Sequence, residues 1–569
     1  MEKGLLHKIL FRSTSIAPLI TFRVLFGGLM MVGALRFMQQ GWVERLYVAP
    51  TFFFKFYGFE WVSVLSPTGM YLLYSLIALS AACIMLGFFY RLATILFFLS
   101  FTYSELIDST NYLNHYYLVC LLGFLLIFIP AHRSHSLDVW RKPQWKRSLV
   151  PVWTINSIIL QVSLVYCFAG IAKLNSDWLL RAMPLAIWLP TKADWPLLGQ
   201  LFAQSWTAYA FSWTGALYDL TIPFFLLHPR TRPFAYIAVI VFHVLTKLLF
   251  NIGLFPFIMI FNTLIFFSGA WHRRVWSGVG NLKSEVETQE VEKPNRALIS
   301  PSGDKGAWSG TLGWSKVRNQ KNPPRADLSF RGTRGVAWAK VESQEVEKPS
   351  RVLISPLGDK GAWDQQRSKT QSPKSENHTT CNPQAAIQKN TTSQFTTDKS
   401  TTYNQITNTP INPQPTTRNA LLPLTLSLFF LLQLLLPFRY LGYPGHLLWT
   451  EQGYRFSWRV MLVEKVGQAT FYVEDSASGR SSEVNNADYL TTFQEKQMSI
   501  QPDMILQFAH FLAQEYEIKH GLTAPKVRVD SHVALNGRRS QRFIDPSVNL
   551  ATIKDSWAPK TWIIPFKHE

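Results

Sequence analysis

The chain has 569 residues, 48% of them hydrophobic, 14% aromatic and only 16% charged, with a formal net charge of +20. That apolar content excludes an ordinary soluble enzyme, and the mean hydropathy of +0.06 hides it only by averaging unlike segments. The positive excess lies in short loops between apolar runs and in one polar stretch, so it points to loop cations of a membrane protein and not to a nucleic-acid partner.

Lys3, Lys8 and Arg12 form a basic start that leads into the first apolar run. Nine such runs, at 17–38, 70–88, 91–107, 115–130, 152–171, 206–227, 234–250, 254–269 and 420–437, read as membrane-spanning helices. The cations alternate along them. Arg91 follows the second run, Arg133 to Arg147 follow the fourth, and Arg230 and Arg232 follow the sixth. If every run crosses once, these residues share one side, which the positive-inside rule makes cytoplasmic. Loops 39–69, 108–114 and 172–205 then face outward, as does everything after residue 437.

The polar stretch, 271–419, holds a duplication. Val286-Glu287-Thr288-Gln289-Glu290-Val291-Glu292-Lys293-Pro294 recurs as Val341-Glu342-Ser343-Gln344-Glu345-Val346-Glu347-Lys348-Pro349, an offset of 55 residues. Two copies are too few for a solenoid, and a Thr/Asn/Gln/Ser-rich tract follows. The stretch reads as a disordered, low-complexity insert that is either a tether or a tolerated duplication.

After the last run, Tyr454 to Val463 alternates and reads as a strand, and Thr470 to Glu474 reads as a second. Met504 to Lys519 has helical periodicity ending at Gly521. Lys526 to Val533 and Arg542 to Ile544 flank Asn536-Gly537, a hairpin signal. The expected architecture is an α-helical polytopic membrane bundle of about nine spans (1–270 and 420–437) carrying a soluble, β-rich, extracytoplasmic domain (438–569), which looks like a substrate-holding module.

Cys83, Cys120, Cys167 and Cys381 show no CxxC and no His/Cys ligand spacing, so no metal site is expected. The chemistry-bearing residues lie in the bundle. Lys173 ends the fifth run, where an ammonium is either a snorkelling anchor or, when desolvated, a base working near neutral pH. Asn114 and His115 open the fourth run, at the same outward end. His243 lies inside the seventh run, Lys247 one turn on, and Asp219 inside the sixth. Taken singly, such residues are ordinary interhelical hydrogen-bonding groups. Together they outline an amphiphilic, aromatic-rich cavity suited to a flat, lipid-soluble ligand such as a quinone.

Several stretches carry a resemblance. They include Phe22-Arg23-Val24-Leu25-Phe26-Gly27, Asn114-His115-Tyr116-Tyr117-Leu118, Ala169-Gly170-Ile171-Ala172-Lys173-Leu174-Asn175-Ser176-Asp177-Trp178, Phe242-His243 through Phe255, and Gly453-Tyr454-Arg455-Phe456-Ser457-Trp458. In this order they resemble the vitamin K-dependent gamma-glutamyl carboxylase family, including its bacterial members with an HTTM domain. The resemblance covers nearly everything except the insert.

It implies an integral enzyme of a bacterial inner membrane that couples oxidation of reduced vitamin K (menaquinol or phylloquinol) by O₂ to γ-carboxylation of glutamate with CO₂. The substrate is an exported peptide or protein, and membrane lipid is the other partner. It also implies that Lys173 is the catalytic base and that His115 is catalytic beside it. Asn114, His243, Phe255 and Trp458 are then quinone- or substrate-binding. Two positions depart from the family. Ala172 stands where a second lysine is usual, and the segment after Trp458 reads Arg459-Val460-Met461-Leu462-Val463, without a histidine. A quinone-oxygenating enzyme without peptide carboxylation therefore stays open, as does a non-enzymatic membrane receptor or transport component.

Overall fold

The computed structural model describes residues 10–196, 198–250, 252–279 and 421–567; the duplicated insert, Cys381 and Asn251 lie outside them. Each apolar run becomes helix, because backbone polar groups without water can be satisfied only within the segment. The helices are α1 Ala17–Gln39, α2 Pro67–Leu86, α3 Tyr90–Leu106, α4 Asn114–Phe128, α5 Trp153–Ala172, α6 Ser205–Leu227, α7 Arg232–Leu249, α8 Phe255–Asn262, α9 Gly269–Val279 and α10 Leu421–Leu435.

Length corrects the expected count of nine spans. Among the described residues, six helices are long and apolar enough to cross a membrane: α1, α2, α5, α6, α7 and Leu421–Gly442, which extends α10. A seventh span arises if Phe255–Phe266 and Gly269–Ser277, bent by 112°, are counted together. The other two runs are shorter helices, α3 of 17 residues and α4 of 15. At about 1.5 Å per residue, α4 falls short of a hydrocarbon core about 30 Å thick.

Packing follows from local sequence. A side-chain carbon on Gly27 of α1 would lie 2.5 Å from the Met85 backbone nitrogen, so glycine lets α1 and α2 touch. Ser66 caps α2 through the Gly69 amide at 3.2 Å. The Asp138 carboxylate caps α3, accepting from Phe89 N at 2.9 Å and Tyr90 N at 3.0 Å. A short antiparallel pair, β1 Ser13–Ser15 with β2 Leu149–Pro151, ties the start of the bundle to the loop before α5.

The C-terminal domain is α+β, which corrects the β-rich expectation. Its antiparallel sheet runs β4-β3-β5-β6, with β3 Lys465–Glu474, β4 Ser481–Glu483, β5 Lys526–Leu535 and β6 Gln541–Arg542. Against it lie α11 Thr492–Met498 and the 19-residue α12 Pro502–His520, which stops at Gly521 with φ +64. Asn536 and Gly537 both take positive φ, as a tight hairpin of that sequence requires. Tyr454 to Val463 forms no strand. Phe456, Trp458 and Met461 are left-handed, and the segment folds against the membrane bundle instead of pairing. One hydrophobic core joins this domain to the loop after α5, with Trp178, Leu185, Leu189 and Phe202 clustered with Phe471, Phe508 and Val533.

Candidate functional site

Lys173 lies at the end of α5 and is 5% exposed. Its Nζ donates to Asp219 Oδ2 on α6 at 2.7 Å, lies 3.4 Å from the Ala169 carbonyl oxygen, and sits 5.2 Å from the Trp178 ring centroid. The approach depends on Gly170. A Cβ there would fall 2.8 Å from the Leu220 backbone nitrogen, so only glycine brings α5 against the α6 turn that carries Asp219. Lys173 is therefore neither a snorkelling anchor nor an isolated amine. It is half of a buried ion pair; the sequence reading counted Asp219 among the cavity residues but gave it no part beside Lys173.

An aromatic and imidazole wall runs on from Asp219. Tyr218 stacks on Phe242 at 4.0 Å and meets Tyr166 edge-on at 5.9 Å. The Tyr166 hydroxyl is 3.0 Å from His243 Nε2. His243 is buried, and its Nδ1 has no hydrogen-bond partner among the described residues. Phe255 bridges the two histidines, 5.6 Å from the His243 ring and 5.8 Å from that of His115. His115, His243 and Phe255 thus come together, and the wall links them to Lys173.

Asn114 and Trp458 belong to a neighbouring cluster. Asn114 accepts from the Tyr112 hydroxyl at 3.0 Å and donates to the Arg459 carbonyl oxygen at 3.2 Å. Trp458 stacks on Tyr117 at 5.0 Å. Phe456 N donates to the Tyr112 hydroxyl at 2.8 Å, which pins the left-handed segment to the start of α4. Three buried donors here, Trp458 Nε1, Arg459 Nε and Arg439 Nη1, have no acceptor among the described residues. Unsatisfied buried donors are costly, and these three, on Arg439 and on the neighbours Trp458 and Arg459, mark a place where an anion is welcome.

The C-terminal domain closes over the helix ends that carry these groups. Arg538 grips Asp177, four residues past Lys173, with both terminal nitrogens, one of them at 2.9 Å from Oδ2; Asn536 donates to the same oxygen at 2.9 Å. Burial pushes the Asp177 carboxyl up, but the hydrogen bonds from Arg538 and Asn536 and the charge of Arg538 outweigh it and hold its pKa below the ordinary value. Trp188 Nε1 donates to Glu464 at 2.7 Å, and Gln494 Nε2 to Asp108 at 3.0 Å. Sequence reading took Asn536-Gly537 only as a turn and missed this clamp. A second buried lysine, Lys465, is bound by Glu451 Oε1 at 2.8 Å and by the Trp449 and Ile500 carbonyl oxygens, each at 2.9 Å. Burial lowers its pKa, with Glu451 opposing, and its full set of acceptors makes it a strut of the domain.

The arrangement offers a buried acid–amine pair, an aromatic wall with imidazoles, and a separate set of anion-seeking donors, all beneath a docked domain. Residues 11–271 match the family model of the HTTM domain, and residues 418–569 match that of the vitamin K-dependent gamma-carboxylase, lumenal domain. No solved structure matches the chain.

Proposed function

Because the chain belongs to the vitamin K-dependent gamma-glutamyl carboxylase family, we propose that it couples oxygenation of reduced vitamin K to γ-carboxylation of glutamate in an exported peptide or protein. The observation that carries the reading is the buried Lys173–Asp219 pair, at 2.7 Å, beneath the C-terminal domain. When bound, reduced vitamin K, oxidised by O₂ to its epoxide, would supply the basicity, which no side chain has, to take the glutamate γ-proton, and the electron pair left on that carbon would add to CO₂.

The residues present fit such a ligand. Phe255 with the His115 and His243 rings makes an aromatic lining, and the unpartnered His243 Nδ1 is a polar contact awaiting a ligand oxygen. Lys173 Nζ takes a phenolic proton only when neutral. Asp219 makes that state accessible: passing a proton from Nζ to Oδ2 turns a charged pair into a neutral one with no change in net charge, which suits a desolvated place. Lys173 is then the base and Asp219 its proton reservoir. On the substrate side, Trp458 Nε1, Arg459 Nε and Arg439 Nη1 are matched to a glutamate carboxylate. The docked domain keeps water from the proton being moved.

The second reading, quinone oxygenation without carboxylation, draws on Ala172 and on Arg459 following Trp458. Incubation with labelled bicarbonate, reduced vitamin K and a glutamate peptide separates the two: label in peptide supports the first, and epoxide alone the second. No epoxide from wild type, or undiminished epoxide from Lys173→Arg, which cannot be a neutral base, overturns both.

A further inference from the structure

The outer surface of α2 and α3 carries a second feature. Between α2 and α3 lies an apolar groove lined by Leu76, Leu79, Cys83, Phe88, Phe89 and Leu92, among others. Leu79 is 63% exposed, Phe89 51% and Leu92 55%, so the groove opens outward from the bundle. A groove of this kind facing hydrocarbon accepts any acyl chain. Its mouth is what discriminates. The Arg141 guanidinium lies 4.2 Å from the Phe89 ring centroid and 5.3 Å from that of Phe88.

Arg141 is paired only loosely, and the mouth keeps a net positive charge. Its carboxylate neighbour, Asp138, is 3.6 Å away, and that carboxylate already serves the first amides of α3. Between Arg133 and Arg147 the chain has five cations and one acid. Trp140, 80% exposed, stands next to Arg141 as an interfacial anchor does. We propose that this groove binds one anionic glycerophospholipid, an acyl chain lying along α2 and α3 and the phosphate over Arg141 and Lys142. The charge at the mouth is complementary to a head of net negative charge; the choline cation of a zwitterionic head offsets its phosphate, and an uncharged head has nothing to pair. Each basic residue near a lipid surface is worth about fivefold in binding.

The test uses the full chain, purified in detergent and offered equal amounts of phosphatidylglycerol, phosphatidylcholine and diacylglycerol with the same acyl chains. Retained lipid is counted by native mass spectrometry. One phosphatidylglycerol per chain is expected in preference to both others. Arg141→Gln with Lys142→Gln should weaken that preference on the order of tenfold or more. Cys83→Phe, which fills the groove and leaves the cations, should abolish retention. Should Cys83→Phe fail to fold, the exposed double substitution decides alone. Equal retention of phosphatidylglycerol and phosphatidylcholine, diacylglycerol retained as well as either, or a preference that survives the charge removal overturns the proposal.

Discussion

Arg538→Ala tests the link between the C-terminal domain and Lys173. The substitution removes a guanidinium whose side chain is 8% exposed and leaves Asp177, 3% exposed, with Asn536 as its remaining donor. Removing one partner of a buried ion pair costs about 3–5 kcal/mol, because the other charge stays buried. The loss should fall near the lower end, since Asn536 still donates to Oδ2. Asp177→Ala/Arg538→Ala removes both charges and should cost clearly less than the sum of the single substitutions, a coupling of about 2 kcal/mol. Thermal melting of the detergent-solubilised protein, followed by tryptophan fluorescence, measures all three.

The sign of the pH dependence is determined by the depressed folded pKa of Asp177. The clamp contributes fully above the unfolded carboxylate value, about 3.9, and its contribution fades as pH falls through the lower folded value. Wild type and Arg538→Ala should therefore converge in acid. Lys173 is only four residues upstream, and a displacement of about 1 Å at a reacting group costs about 100-fold, so Arg538→Ala should also lower quinone turnover by that order. Additive single substitutions, or a pH-independent gap between wild type and variant, would refute the clamp.

Lys173→Ala should abolish epoxide formation and also lower the melting temperature, because Asp219 is left buried and unpaired, at a cost of about 3–5 kcal/mol. Lys173→Ala combined with Asp219→Asn should recover most of that stability and no activity, measured by melting and epoxide assay on one preparation. Asp219→Asn alone should reduce turnover at least tenfold and shift its pH profile, since Nζ loses its proton acceptor; an unchanged profile refutes the relay. Gly170→Ala, forced against the Leu220 backbone, should cost about 1–3 kcal/mol and impair turnover through the misplaced ion pair. A reporter active only in the cytoplasm, fused after Glu569, should be silent; activity there refutes the outward placement of the C-terminal domain.

The resemblance rests on short stretches whose order along the chain is legible before any fold is known, and through it Lys173 and His115 were nominated as catalytic. Other features were legible from local physics. Apolar runs such as 17–38 and 152–171 must be helices, because lipid leaves the backbone no other partner. The helix ending at Gly521 and the turn at Asn536-Gly537 follow from residues that tolerate positive φ.

What spacing could not decide was contact between distant segments. Asp219 and Lys173 are 46 residues apart, and only the close approach allowed at Gly170 makes them an ion pair. Arg538 and Asp177 are 361 apart, with nothing local to either marking the other as its partner. Tyr454 to Val463 alternates like a strand, yet with Phe456, Trp458 and Met461 left-handed it packs on the start of α4, where the Phe456 and Trp458 rings meet Tyr112 and Tyr117. Periodicity records which side chains avoid water; which neighbours they meet instead is decided by how the helices and the outer domain pack.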